Sequence, residues 1–163
     1  DFDLFNDFKN NQSKDLNESQ YLLCTGLFDD HDQDLNYYKN LLEKHINKKM
    51  ICTNPDLIVD RGNKRELCAG SVAMIFEKMG GEVIYFGKPY AEVYNQSIDN
   101  SKKKILSIGD NLNTDIKGAN LLNYDSLLIL NGVHKEEIKN SNIDKVSRQY
   151  ESIVNYMQSD LKW

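Results

Sequence analysis

The sequence predicts an α/β protein with mainly parallel strands. Two observations carry that reading. Short apolar runs alternate along the chain with segments whose apolar residues recur at helical spacing. Several of the runs end at Gly, Asn-Pro-Asp or Gly-Asp, where a strand delivers its last residue to a turn.

The elements follow in order. Tyr21 to Gly26 is a buried strand. Leu35, Tyr38, Leu41, Leu42 and Ile46 share a helical face, so a helix is expected over 33–47. Met50 to Thr53 is a second strand, stopped by the turn signal Asn54-Pro55-Asp56. Leu67, Val72, Ile75, Phe76 and Met79 define a helix that Gly80-Gly81 ends. Glu82 to Phe86 is a third strand, and Pro89 suits the first turn of a helix running to about Asn100. Ile105 to Ile108 is a fourth strand, Thr114 to Leu122 a helix and Ser126 to Leu130 a fifth strand. The tail over 134–157 reads as helical with weak patterning. The strands should divide into two lobes near residues 85–88. The Asn- and Lys-rich stretches, Lys9 to Lys14 and Asn95 to Lys104, read as solvated.

Composition narrows the function classes. The chain has 163 residues, 40% hydrophobic and 28% charged, as a globular protein does. Twenty Lys and Arg against 25 Asp and Glu give a net charge of −5, which argues against a nucleic-acid partner. The apolar runs are too short to cross a bilayer, and no basic-then-apolar leader opens the sequence. Cys24, Cys52 and Cys68 form neither a zinc module nor an even disulfide set, so a reducing cytoplasm is expected.

The sharpest chemical feature is Ile105 to Asp115. An apolar strand ends in Gly109 and Asp110; the glycine lets the backbone turn beside a ligand. Asp110 is then a hard oxygen donor suited to Mg²⁺. Asp115 opens the next helix. The same two aspartates could serve only to cap and start that helix. Lys88, after the strand over 82–86, can meet a phosphoryl group, or can be a solvated loop residue. Asn54 and Asp56 can bind a polar ligand or simply make an Asx turn before Pro55. Asp30, Asp32 and Asp34 imitate the start of a calcium loop, but Leu35 and Leu41 stand where Gly and Glu are required, so a solvated loop is expected.

Taken together, these strand ends resemble the haloacid dehalogenase superfamily, in particular its large-cap phosphatases. The matching residues are Met50 to Asp56, Cys68-Ala69-Gly70, Tyr85 to Pro89, Ile108 to Ile116 and Leu128 to Val133. The resemblance implies a Rossmann-like core with an α/β cap, residues 1–86 being the later part of the cap and 87–163 the later part of the catalytic core. It implies hydrolysis of a small phosphate monoester through an aspartyl-phosphate, with Mg²⁺ as cofactor. Lys88 resembles the lysine that neutralises the nucleophile and phosphoryl oxygens, Asp110 the acidic metal ligand and Asp115 its supporting carboxylate. Asn54 and Asp56 resemble cap residues that face the substrate.

The sequence departs from the family at the nucleophile, an Asp-x-Asp motif after the first core strand. Asp1-Phe2-Asp3 has the spacing without a preceding strand, and Asp30-His31-Asp32 falls in the cap-like region. Residue 1 is Asp. An upstream segment is therefore expected to be missing, or the chain is a natural remnant; residues 1–163 alone are expected to lack turnover, to be marginally stable and, with an uncovered strand edge, either to self-associate or to need the missing half. The rival reading is a non-catalytic α/β module that binds phosphate and metal. A receiver domain fits less well, because Lys88 precedes Asp110. No nucleic-acid or membrane partner is expected.

Overall fold

A computed structural model describes the backbone of residues 2–98 and 104–162 and the side chains of residues 5–98 and 104–162. Asp1 of the Asp1-Phe2-Asp3 spacing, the side chain of Asp3 and residues 99–103 of the Lys-rich stretch lie outside the described residues. The chain divides into two compact units, residues 1–57 with 66–86 and residues 58–65 with 87–163.

The first unit holds a parallel three-stranded sheet. Strands β1 (Tyr21–Cys24) and β2 (Lys49–Cys52) pair in register, Cys24 beside Cys52. β2 also pairs with a later strand over Glu82–Tyr85. Period-two alternation sends Leu22, Cys24, Met50 and Cys52 to one face. There they pack with Tyr38 and Leu42 of α1 (Leu35–Leu42) and with Val72 and Phe76 of α2 (Ala69–Lys78). The opposite face leaves Tyr21, Leu23 and Ile84 exposed.

Asp34 caps α1 by accepting the Tyr37 N–H at 3.1 Å. The helix expected to reach 47 stops at Leu42 and tightens into a 3₁₀ turn over Glu43–His45. Its last carbonyl, that of His45, accepts the Lys48 N–H at 2.9 Å. α2 ends at Gly80, whose φ of +96° only glycine adopts freely, and Gly81 lies where a Cβ would overlap the Phe76 ring. All three cysteines are free and buried, and burial lifts the Cys24 thiol to about 12, so they act as packing residues.

A hairpin absent from the sequence reading joins the two units in the chain: β3 (Ile58–Arg61) and β4 (Lys64–Leu67), linked by Gly62 and Asn63. Gly62 takes φ +62°. Its strands are charged and largely solvated, so no apolar alternation marks them, and the turn carries Gly before Asn rather than the usual Asn-Gly order. A 3₁₀ helix over Phe2–Asn11 takes in the start of the Lys9 to Lys14 stretch, read as solvated loop and helix face, and its residues 6–11 are exposed. The sheet of this first unit is completed by β5 (Glu82–Tyr85).

The second unit holds a separate parallel sheet. The expected helix after Pro89 begins later, as α3 (Ala91–Ser97). The Lys88–Pro89 peptide is cis, and the Tyr90 N–H bonds to the Gly87 carbonyl at 2.9 Å, closing a turn ahead of the helix. β6 (Leu106–Gly109) then leads into a π turn over Leu112–Ile116, where the Ile116 N–H reaches the Asn111 carbonyl. The expected helix from Thr114 to Leu122 is therefore this turn followed by α4 (Lys117–Leu121).

β7 (Asp125–Ile129) pairs with β6 on one side. The tail read as wholly helical forms α5 (Lys135–Asn140), α6 (Ile143–Gln149) and a strand, β8 (Tyr156–Gln158), which pairs with the other side of β7. Tyr156 and Met157 are exposed, so β8 is held by backbone pairing and shows no buried apolar pattern. Leu112, Ile116, Leu128 and Val146 form the core of this unit. Buried Ser126 is satisfied by Asn155 Oδ1 and the Ile153 carbonyl, each at 3.0 Å. Among the described residues β6 is an edge strand, and no helix is long and apolar enough to cross a membrane.

Candidate functional site

Two of the residues singled out in the sequence, Lys88 and Asp115, meet within the second unit, and Asp110 lies at the same strand end. β6 carries its chain to Gly109 and Asp110 at the strand's carboxyl end, where open parallel sheets place ligands. Gly109 leaves no room for a Cβ, because the Asp115 side chain occupies that space. Asp115 is buried and sits in the π turn. Lys88 donates to Asp115 Oδ1 at 2.6 Å, and the Asn111 backbone N–H donates to Asp115 Oδ2 at 3.1 Å. Both oxygens of Asp115 are thus engaged. The side chain of Lys88 is 44% exposed against 8% for Asp115, so the pair is anchored inside while the ammonium keeps a solvent-facing side.

Asp110 is half-buried and points differently. Its Oδ2 accepts the Val133 N–H at 3.1 Å. The loop after β7 comes so close that a Cβ on Gly132 would overlap the Asp110 side chain. Val133 and His134, both buried, follow directly. His134 packs edge-on against Tyr150, and burial pushes its imidazole below the ordinary 6.5, with Glu137 opposing that shift. Tyr94 of α3 lies where a Cβ on Gly118 would strike its hydroxyl, and burial raises its phenol, assisted by the charge of Asp115.

The donor set suits a hard cation in part. Among the described residues no group of three or more His, Cys, Asp and Glu side chains is arranged to hold a metal. A half-buried carboxylate at a strand end remains, which is what Mg²⁺ accepts when water and phosphate oxygens complete its shell. Asp110 fits that role. Asp115, fixed by Lys88 and Asn111, fits the role of a support that holds the lysine in place.

Asn54 and Asp56 belong to the first unit. The Asp56 N–H donates to Asn54 Oδ1 at 3.2 Å, an Asx turn, and the Pro55 and Asp56 carbonyls crowd Gly70 of α2. Asp30 lies in a 3₁₀ turn over Asp29–His31, and Asp34 caps α1, so the acidic run is used as loop and cap. Sequence reasoning missed the Val133 N–H and the hairpin pair Asp60 and Arg65. The first is a backbone group with no side-chain signature, although Asn131-Gly132 after a strand marks the loop that carries it.

The HAD-hydrolase-like family matches residues 85–155, which include Lys88, Asp110 and Asp115. A 4-nitrophenylphosphatase of Schizosaccharomyces pombe is 37% identical over 97 residues, 56% of this chain and 32% of that protein. A haloacid dehalogenase-like hydrolase from Brucella suis 1330 superposes with a TM-score of 0.70 at 34% identity, over 76% of this chain and 51% of that one. A p-nitrophenyl phosphatase from Archaeoglobus fulgidus, 19% identical, shares the fold with a TM-score of 0.61 over 90% of this chain and 56% of that one. The chain therefore spans a third to about half of the length of these relatives. The matched segment, the parallel α/β fold and the lysine and aspartates at its strand ends make residues 85–155 similar to the haloacid dehalogenase superfamily.

Proposed function

We propose that the protein serves as a magnesium-dependent phosphatase acting on a small phosphate monoester, such as a sugar phosphate or nucleotide, in the cytoplasm. The observation that carries this is the Lys88–Asp115 pair beside Asp110 at the end of β6. Lys88 supplies a positive charge to phosphoryl oxygens, and Asp115 orients it. Asp110 would hold Mg²⁺, which when bound neutralises phosphoryl charge. The first unit is read as part of a cap in which Asn54 and Asp56 face substrate, and the second as part of the core. Asp115, held by Lys88 and the Asn111 N–H, is assigned to positioning. The nucleophile's role is assigned to no residue of 1–163, and these residues by themselves are expected not to turn over substrate. The edge of β6 offers a surface for self-association.

The test is release of 4-nitrophenolate from 4-nitrophenyl phosphate by the native gene product, with and without Mg²⁺. Mg²⁺-dependent release that falls at least 100-fold in Lys88→Met supports the reading. Hydrolysis indifferent to Lys88→Met overturns it. Binding of Mg²⁺ and phosphate with no hydrolysis of any sugar phosphate or nucleotide tested would favour the non-catalytic module instead.

A further inference from the structure

The hairpin that the sequence reading missed reaches the candidate cation ligand. Asp60 on β3 and Arg65 on β4 form a two-pronged pair: Arg65 Nε meets Asp60 Oδ1 at 2.8 Å and Arg65 Nη2 meets Asp60 Oδ2 at 2.9 Å. This fork fixes the plane of the guanidinium. The same Nη2 then donates to the Val133 carbonyl at 3.0 Å. Val133 turns its own N–H to Asp110 Oδ2. One residue of the loop after β7 is therefore gripped on its carbonyl by Arg65 and grips Asp110 through its N–H.

The rest of that loop is held elsewhere. The Leu130 and Asn131 N–H groups bond to the Gln158 and Ser159 carbonyls at 2.9 and 3.0 Å, which secures its start against β8. Beyond Gly132 the chain must lie close on Asp110, since a Cβ there has no room. Arg65 supplies the clamp at Val133. All four residues, Asp60, Arg65, Asp110 and Val133, lie in the second unit.

We infer that Arg65 is a positioning residue for Asp110: through the Val133 backbone it sets the orientation of the carboxylate, engages Oδ2 and presents Oδ1 to a cation. The functional half of this inference rests on Asp110 being the Mg²⁺ ligand proposed above. A carboxylate free to rotate must be ordered when the cation binds, whereas one already hydrogen-bonded is not. Groups bonded directly to a metal ligand typically change affinity 10- to 100-fold when removed. Arg65 acts one step further out, so a smaller effect of about three- to tenfold is expected.

The experiment compares the native gene product with its Arg65→Met, Arg65→Lys and Asp60→Asn variants. Two quantities are read: hydrogen exchange of the Val133 amide without metal, and Mg²⁺ affinity by calorimetry. In Arg65→Met the Val133 amide should exchange at least tenfold faster, and the Mg²⁺ dissociation constant should rise about three- to tenfold. Arg65→Lys should fall between wild type and Arg65→Met, because an ammonium cannot make the fork and reach the carbonyl together. Asp60→Asn, which leaves the arginine in place but loosens it, should move Val133 in the same direction by less. Unchanged Val133 exchange in Arg65→Met overturns the inference even if the thermal midpoint drops, since that pattern describes an arginine that only stabilises the hairpin. If Arg65→Met does not fold, Asp60→Asn and Arg65→Lys decide by the same two readouts. A wild-type chain with no Mg²⁺ response overturns the reading of Asp110 as a cation ligand, while Val133 exchange still decides whether Arg65 orients it.

Discussion

Lys88 holds Asp115 at 2.6 Å, and Asp115 is the buried member of the pair. A buried carboxylate that loses its cation keeps its desolvation cost without compensation. Lys88→Met should therefore destabilise the second unit by about 1–3 kcal/mol. Adding Asp115→Asn should recover part of that loss, because the neutral amide no longer needs a cation. Denaturant unfolding of the two single variants and the double variant checks this. A coupling near zero would mean that the pair is a solvated surface contact.

Two glycines permit the site by lacking a side chain. At Gly109 a Cβ would overlap Asp115, and at Gly132 it would overlap Asp110. Gly109→Ala and Gly132→Ala should each cost about 1–3 kcal/mol, as overpacking does, and should displace the carboxylate they crowd. Gly26→Ala is the control, since nothing lies within 4 Å of a Cβ there. Thermal midpoints of the three variants give the comparison, with only Gly26→Ala expected near wild type.

His134 gives a pH dependence with a definite sign. Burial lowers its folded-state value below 6.5, against the pull of Glu137 and Asp110. In the unfolded chain the imidazole protonates as pH falls through about 6.5, while in the folded chain it stays neutral. The unfolded state then binds more protons, so stability present above 6.5 is lost as pH falls toward the folded-state value. The thermal midpoint should decline from pH 7.5 to 5.5 in the wild type and decline less steeply in His134→Gln. Equal slopes would show that His134 is not kept neutral by its burial.

Much of this was legible from residue order. Leu22, Cys24, Met50 and Cys52 alternate as half-buried strand residues must, and Leu35, Tyr38 and Leu42 repeat at helical spacing, so the elements of the first parallel sheet stand out. Gly109 and Asp110 announce a strand end by composition alone. β8 was hidden because Tyr156 and Met157 face solvent and pairing with β7 is a backbone affair. The hairpin was hidden because Asp60 and Arg65 look like ordinary surface charges until the fold sets them beside Val133. Helix starts and stops shifted by a few residues wherever a local turn intervened, as at Gly87–Tyr90 and in the π turn after Asn111.

If Lys88 and Asp110 form one phosphoryl site, a titration of the native gene product with inorganic phosphate will reveal it. Backbone amide spectra are recorded with and without Mg²⁺ for wild type, Lys88→Met and Asp110→Asn. Phosphate should shift the amides around Lys88, Asp110 and Val133, Mg²⁺ should tighten binding in the wild type, Asp110→Asn should remove the Mg²⁺ effect and Lys88→Met should weaken phosphate binding at least tenfold. Phosphate shifts confined to other parts of the chain, or binding unchanged in both variants, would contradict it.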